Sequence, residues 1–224
     1  MKSILIIGAS RGLGLELVRQ YRAEGWLTLG TTRSAEHDAL LAHCGATALR
    51  VDVNDESTFA NLHRALEGGG LDVAIYNAGI LGPQNEGAIP CPAEEFDAVM
   101  HTNVLGALRA IPIVAPALAR RNGVFAFISS TMGSITQQTT PRRVVYRASK
   151  AALNSVVKTA ANEWGPKGVT CISMHPGWVK TDMGGSDADI DPATSIAGMK
   201  RVIAGLTPAS NGKFFDYTGK EQPW

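Results

Sequence analysis

A tyrosine and a lysine four residues apart, in Tyr146-Arg147-Ala148-Ser149-Lys150, open a stretch of helical character, and positions four apart share one face of a helix. Free tyrosine titrates near ~10, too high for easy proton exchange at neutral pH. An ammonium within ~4–6 Å favours the phenolate, so Lys150 is expected to bring Tyr146 toward a working range for general acid–base chemistry. Alone, the pair reads equally well as a surface tyrosine and lysine on an amphipathic helix. Other residues suggest more. Ser129-Ser130 follows the apolar run 125–128 and would put a hydroxyl at the carboxyl edge of a sheet, able to hydrogen-bond a carbonyl oxygen. Asn103 lies in a helix-like stretch, where an amide is mildly unfavourable. Asn77-Ala78-Gly79 ends another strand with residues suited to a tight turn beside a ligand.

Near the amino end, Gly8-Ala9-Ser10-Arg11-Gly12-Leu13-Gly14 falls between a strand and a helix. Glycines there let the backbone approach a pyrophosphate, whose charge is stabilised by free N–H groups and the helix N-terminus. The spacing differs from the commoner G-x-G-x-x-G, and glycine can also serve a turn and nothing else. Residues 8–12 equally satisfy G-x-S-x-G, the nucleophile elbow of serine hydrolases, with Ser10 as nucleophile. Such a hydrolase draws part of its oxyanion hole from a loop earlier in the chain, for which nine residues leave no room, and it has no use for Gly14. The dinucleotide reading is therefore preferred.

These residues need a scaffold, and the 224-residue chain, 45% hydrophobic and 18% charged, has the composition of one ordinary globular domain. Short apolar runs at 3–7, 27–31, 47–51, 71–76, 124–129, 169–175 and 213–216 alternate with helix-period segments at 12–24, from 54–55 to the glycines at 68–70, 94–121, 146–164 and 193–206. Strands nearly continuous in apolar residues are buried on both faces. The alternation predicts right-handed βαβ crossovers, hence a single doubly wound α/β domain over 1–224 with a parallel sheet covered by helices on both faces. The irregular stretches 79–92, 131–141 and 176–192 follow strands at their carboxyl ends, where ligands of such sheets bind. Lysine and arginine total 21 against 20 acidic residues, and no basic block tracks a phosphate backbone, so nucleic acid and anionic membranes are poor partners. Three scattered cysteines, Cys44, Cys91 and Cys171, are expected to be reduced and buried. The five histidines lack metal-ligand spacing. The opening apolar run is too short for a signal peptide, and the segment holding Pro112 and Pro116 reads as a kinked packing helix; the cytoplasm is the expected compartment.

In their order along nearly the whole chain, Gly8, Gly12, Gly14, Asn77-Ala78-Gly79, Asn103, Ser130, Tyr146, Lys150 and Pro176-Gly177 resemble the short-chain dehydrogenase/reductase family. The stretches 146–154, 175–185 and 217–224 are similar to its branch of C-factor and Sniffer-type carbonyl reductases. The resemblance implies a Rossmann-type fold with a seven-stranded sheet and reduction of an aldehyde or ketone. It implies Tyr146 as general acid, Ser130 polarising the carbonyl, Lys150 holding the nicotinamide ribose and lowering the tyrosine pKa, and Asn103 supporting a proton-relaying water. It also implies dinucleotide contacts from Gly8, Ser10, Arg11, Gly12, Leu13, Gly14, Asp52 (to the adenine amino group), Val53, residues 77–79, Tyr146, Lys150, Pro176, Gly177, Val179 and Thr181. Three departures stand out. Ile7 replaces a threonine and Tyr76 an asparagine, both expected to affect packing. The gap from Ser130 to Tyr146 is long and bears on loop shape. The helices at 94–121 and 146–164 could form the family's usual dimer interface, a homodimer or other homo-oligomer, although some members of this branch are monomers. Trp178 suits either the nicotinamide pocket or core volume.

A site preferring NAD carries an acidic residue about 20 residues past the glycine turn. Residues 28–34 contain none. Arg33 and Arg11 would instead meet a 2′-phosphate, so NADP(H) is expected over NAD(H). The short segment 186–192 predicts an open cleft for small or aromatic aldehydes, ketones and diones. A regulatory dinucleotide-binding protein would have no need of Ser130, Tyr146 and Lys150 together.

Overall fold

The computed structural model describes residues 1–84 and 87–224; positions 85–86 of the irregular stretch 79–92 lie outside the described residues. Seven parallel strands, β1 (Ser3–Ile7), β2 (Leu27–Thr32), β3 (Thr47–Arg50), β4 (Val73–Tyr76), β5 (Val124–Ile128), β6 (Thr170–His175) and β7 (Phe214–Asp216), form one sheet in the order β3-β2-β1-β4-β5-β6-β7. The helices are α1 (Gly12–Ala23), α2 (Ala35–His43), α3 (Phe59–Leu66), α4 (Ala93–Met100), α5 (Gly106–Ala119), α6 (Val144–Trp164) and α7 (Pro192–Ala204). This is the doubly wound, Rossmann-type architecture expected.

Strand alternation divides the core into two layers. Leu5, Ile7, Ala74, Tyr76, Phe125 and Phe127 pack on one face against α3, α5 and α6. Ile4, Ile6, Ile75, Ala126, Ile172 and Met174 pack on the other against α1, α2 and α7. Side chains at alternate positions point to opposite faces, so strands covered on both faces read as unbroken apolar runs.

The two family departures settle as packing. Ile7 is fully buried, and buried Tyr76 donates its hydroxyl to Thr102 O at 2.7 Å while stacking on Phe127. The segment Ala93–Ala119 is long and apolar enough to cross a membrane by length and composition, with mean hydropathy 1.4, but 61% of that window is buried inside the protein. It consists of α4, a π-helical turn at His101–Leu105 and α5, which contains both Pro112 and Pro116. All three cysteines are free, as expected, but only Cys171 is buried; Cys44 and Cys91 are half-buried, each lying in a connection outside the strands and helices.

Candidate active site

A cavity of about 640 Å³ opens at the carboxyl ends of the strands. Its floor is the crevice between β1 and β4, from which the chain winds away in opposite directions, the usual ligand position of such sheets. Gly8, residues 10–13, Arg33, Val53, residues 77–79, Tyr146, Lys150, Pro176 and Thr181 line it, joining residues drawn from almost the whole chain.

The glycine turn follows from β1 having to reverse into α1 under the β4 loop. Gly8 sits at φ +86°, and a Cβ there would lie 2.8 Å from Ala78 N. A Cβ on Gly14 would lie 2.0 Å from Gly8 O, so this glycine serves the packing of turn on helix and does not line the cavity. The turn is tied down by Asn77, whose Nδ2 donates to Gly8 O at 2.7 Å, and by Thr31, whose Oγ1 accepts from Gly8 N at 2.9 Å. Thr31 was missed because a β-branched residue in a strand carries no further signal. The first-turn N–H groups of α1 have no intrahelical acceptors and form an anion-binding end.

At the other end, α6 begins just before Tyr146 and stacks Lys150 one turn below it. Both are buried, at 8% and 4% exposure. Lys150 Nζ lies 5.6 Å from the centre of the tyrosine ring and donates to Ile128 O, the last residue of β5, at 2.8 Å. Burial pushes the Lys150 ammonium down to about 8. Burial also pushes the Tyr146 phenol up to about 12, opposed by a hydrogen bond with Ser130 and by the Arg143 guanidinium. The expected depression of Tyr146 by Lys150 is not found: burial dominates, and the groups that oppose it are Ser130 and Arg143. Ser130 itself does not line the cavity, although it reaches the phenol; its Oγ also accepts from Met132 N at 3.1 Å.

Asn103 lies within the π-helical turn, a local widening that often marks functional positions. Fully buried, its Oδ1 accepts from Ile80 N at 2.8 Å, and its Nδ2 donates to Ile80 O at 2.9 Å and Ser149 Oγ at 2.9 Å. It therefore clamps the loop after β4 onto α6. Asp52 is outside the lining too: its Oδ1 accepts from Asn54 N at 3.0 Å, while Val51, Val53 and Asn54 face the cavity. Gly177 and Val179, expected among the cofactor contacts, do not line the cavity, and Val179 is bridged to Ile190. Trp178 fills neither of its expected places. It is 49% exposed and donates Nε1 to Gly184 O at 2.8 Å, bracing the segment 181–185 that lines the cavity.

Arg33 comes directly after β2, is exposed, lines the cavity and forms no ion pair among the described residues. Asp38, in the first turn of α2, reaches back to the end of that strand and is engaged by Thr32 and Arg50. Arg11 is less free than expected, pairing with Asp182 at 3.2 Å. No histidine lines the cavity among the described residues, so Ser10 lacks the base that a serine hydrolase requires. Among the described residues no group of three metal-ligating side chains exists.

An open α/β sheet with a glycine turn at its crossover and a buried Tyr–Lys pair defines a dinucleotide-dependent class of protein. The chain belongs to the short chain dehydrogenase family, whose model matches residues 2–190. It is 40% identical over 164 residues to the C-signal of Myxococcus xanthus, covering 70% of this chain and 94% of that protein. The structure of the carbonyl reductase Sniffer of D. melanogaster superposes with a TM-score of 0.89 at 32% identity, covering 100% of both chains. A short-chain dehydrogenase/reductase from Burkholderia multivorans with bound NADP superposes at 0.90 and 29% identity, covering 100% of this chain and 99% of that one.

Proposed function

We propose that residues 1–224 act as one NADP(H)-dependent domain that reduces an aldehyde or ketone to an alcohol. One cavity joins a glycine turn, an Arg33 without an ion pair among the described residues and the buried Tyr146–Lys150 pair, and this joining carries the reading. The residues fit the cofactor: Gly8 and Gly12, both at positive φ, bring the backbone of the turn to the cavity wall where a pyrophosphate would lie, and Lys150 uses one of its three donors on Ile128 O, leaving others for ribose hydroxyls.

The dinucleotide supplies a hydride to the carbonyl carbon. The chain's own groups do the rest. Ser130 and Tyr146 hold the carbonyl oxygen between two hydroxyls, and Tyr146 gives it a proton. Burial keeps that phenol protonated before reaction, as a general acid requires. Lys150, charged below about 8, steadies the phenolate left behind. Asn103 holds the β4 loop and α6 at fixed spacing, so that the two halves of the cavity stay in register. Arg33 would take a 2′-phosphate, a role made easier because residues 28–34 hold no carboxylate and Asp38 is engaged by Thr32 and Arg50. The likeness to a carbonyl reductase and to a protein with bound NADP supports the same reading.

A screen of small carbonyl compounds against purified protein, following NADPH absorbance, tests it. Turnover of simple aromatic aldehydes, ketones or diones is expected, and strict selectivity for one sterol would count against the open cleft. A signalling role is the second reading, favoured by the likeness to C-signal. NADPH binding without oxidation by any carbonyl would support it instead.

A further inference from the structure

Arg143 carries three features that the chemistry above leaves unused. Its backbone is left-handed, at φ 59° and ψ 48°, a conformation that suits glycine or asparagine and disfavours a long side chain. Its Nη1 is buried without a hydrogen-bond partner among the described residues. It lines the same cavity as Tyr146, three residues away.

The strained turn is held from outside. Arg147 donates Nε to Arg142 O at 2.8 Å, Nη2 to Thr140 Oγ1 at 2.8 Å and Nη1 to Met132 O at 3.4 Å, fastening the loop that precedes Arg143 onto α6. Glycine or asparagine here would relieve the backbone, and a neutral side chain would remove the unpaired buried donor. Strain and an orphaned donor at one cavity residue point to a ligand that satisfies it. The planar fork of a guanidinium suits a carboxylate. The cofactor's phosphates are expected far along the cavity, at the glycine turn after β1 and at Arg33 after β2. Arg143 enters instead from the start of α6, beside the proton donor.

We propose that Arg143 is a specificity-determining residue that binds a carboxylate on the substrate, so that the preferred substrates are aldehydes or ketones bearing a carboxylate near the carbonyl. This rests on the carbonyl reductase reading. Its charge also acts on the Tyr146 phenol, an influence that a bound carboxylate would damp.

The test compares 3- and 4-formylbenzoate with their methyl esters, in wild type, Arg143→Asn, which tolerates the left-handed backbone, and Arg143→Lys, which keeps the charge. At least one acid is expected to surpass its ester in kcat/KM, and this acid-to-ester ratio should fall about 10–150-fold in Arg143→Asn, with partial recovery in Arg143→Lys. Taking the ratio within each variant removes any general loss of rate. Calorimetric titration of NADP-loaded protein with 3- and 4-(hydroxymethyl)benzoate provides a readout without turnover, and binding of at least one should weaken in Arg143→Asn. Equal ratios in wild type and Arg143→Asn overturn the proposal, as does a loss of NADPH affinity with the ratio unchanged, which would put Arg143 on the cofactor. If no carbonyl is reduced but hydroxymethylbenzoate binding depends on Arg143, the carboxylate site stands and the reductase reading falls. If neither alcohol binds in an Arg143-dependent way in that case, both fall.

Discussion

The two ends of the cavity are built on opposite principles. Around Tyr146 and Lys150 the ionisable groups are buried, and desolvation moves both of them a long way from their ordinary range. Around the glycine turn the charges are exposed: Arg11 at 65% and Asp182 at 83%, with Arg33 likewise in solvent. A reacting centre gains from low dielectric because each hydrogen bond and charge acts strongly there. A phosphate grip gains from solvated cations that cost little to hold and that attract an anion from a distance. On the proposed reading, the same fold places its costly groups where bonds would change and its solvated ones where a charged handle would be held. Substitutions at the buried end should strike the rate, and those at the exposed end the choice of cofactor.

The sharpest break is Tyr146→Phe. The ring that fills the buried position is kept and the proton donor is lost, so a fall in kcat of ~10²–10⁴-fold is expected. NADPH affinity by fluorescence titration should change far less than turnover. Near-normal reductase activity would remove the tyrosine from its proposed role and leave the buried end without its reason for being buried.

Arg33→Ala addresses the other end. Charge-assisted hydrogen bonds contribute ~1.5–3 kcal/mol, so the ratio of NADPH to NADH affinity should fall by ~10–150-fold. Tighter binding of NADH than NADPH by the wild-type protein would contradict the assignment outright.

A smaller effect should appear in the pH profile. Lys150 is held at about 8 by burial, and its charge is lost above that value. Reduction should therefore be level below about 8 and decline by up to roughly tenfold per pH unit above it, as expected for one essential protonated group. A profile level through that region would separate Lys150 from the rate and leave it a binding role.

The two ends were also unequally legible in the sequence. The central strands could be read because burial on both faces removes polar residues from them, although β4 starts at Val73 with Leu71 in the approach, and the edge strand β3 is nowhere fully buried. The glycine turn and the Tyr146–Lys150 spacing were visible because local geometry restricts residue type. Helix α2 was left unspecified among the gaps between strands, since only Leu41 is buried on it and its apolar pattern is faint. The segment starting at 54–55 resolves into a short 3₁₀ turn at Glu56–Thr58 ahead of α3. The π-helical turn around Asn103, the left-handed backbone of Arg143 and the outward setting of Trp178 all arise from tertiary packing, which residue type does not report. The same holds for the tyrosine: spacing places a lysine nearby, but the desolvation that raises the phenol belongs to the folded core.

The gentlest test lies in the Arg11–Asp182 pair, at 3.2 Å the point where the glycine turn touches the loop after β6. An exposed ion pair of this kind gains little in water, and salt screens most of that gain. Its interest is positional, because Arg11 was expected beside the 2′-phosphate and is instead engaged by a carboxylate that would repel one. Asp182→Asn keeps the shape of the side chain and frees the guanidinium. NADPH should bind more tightly by about 2–5-fold at low salt, the factor that corresponds to a surface pair of up to ~1 kcal/mol, and the gain should shrink as ionic strength rises. NADH affinity should shift less, since it lacks the phosphate that Arg11 would meet. Titration of both cofactors at two salt concentrations measures all four values. An equal gain for NADH and NADPH would show that Asp182 acts through the shape of the loop and not through charge, and the exposed end would then owe its cofactor choice to Arg33 alone.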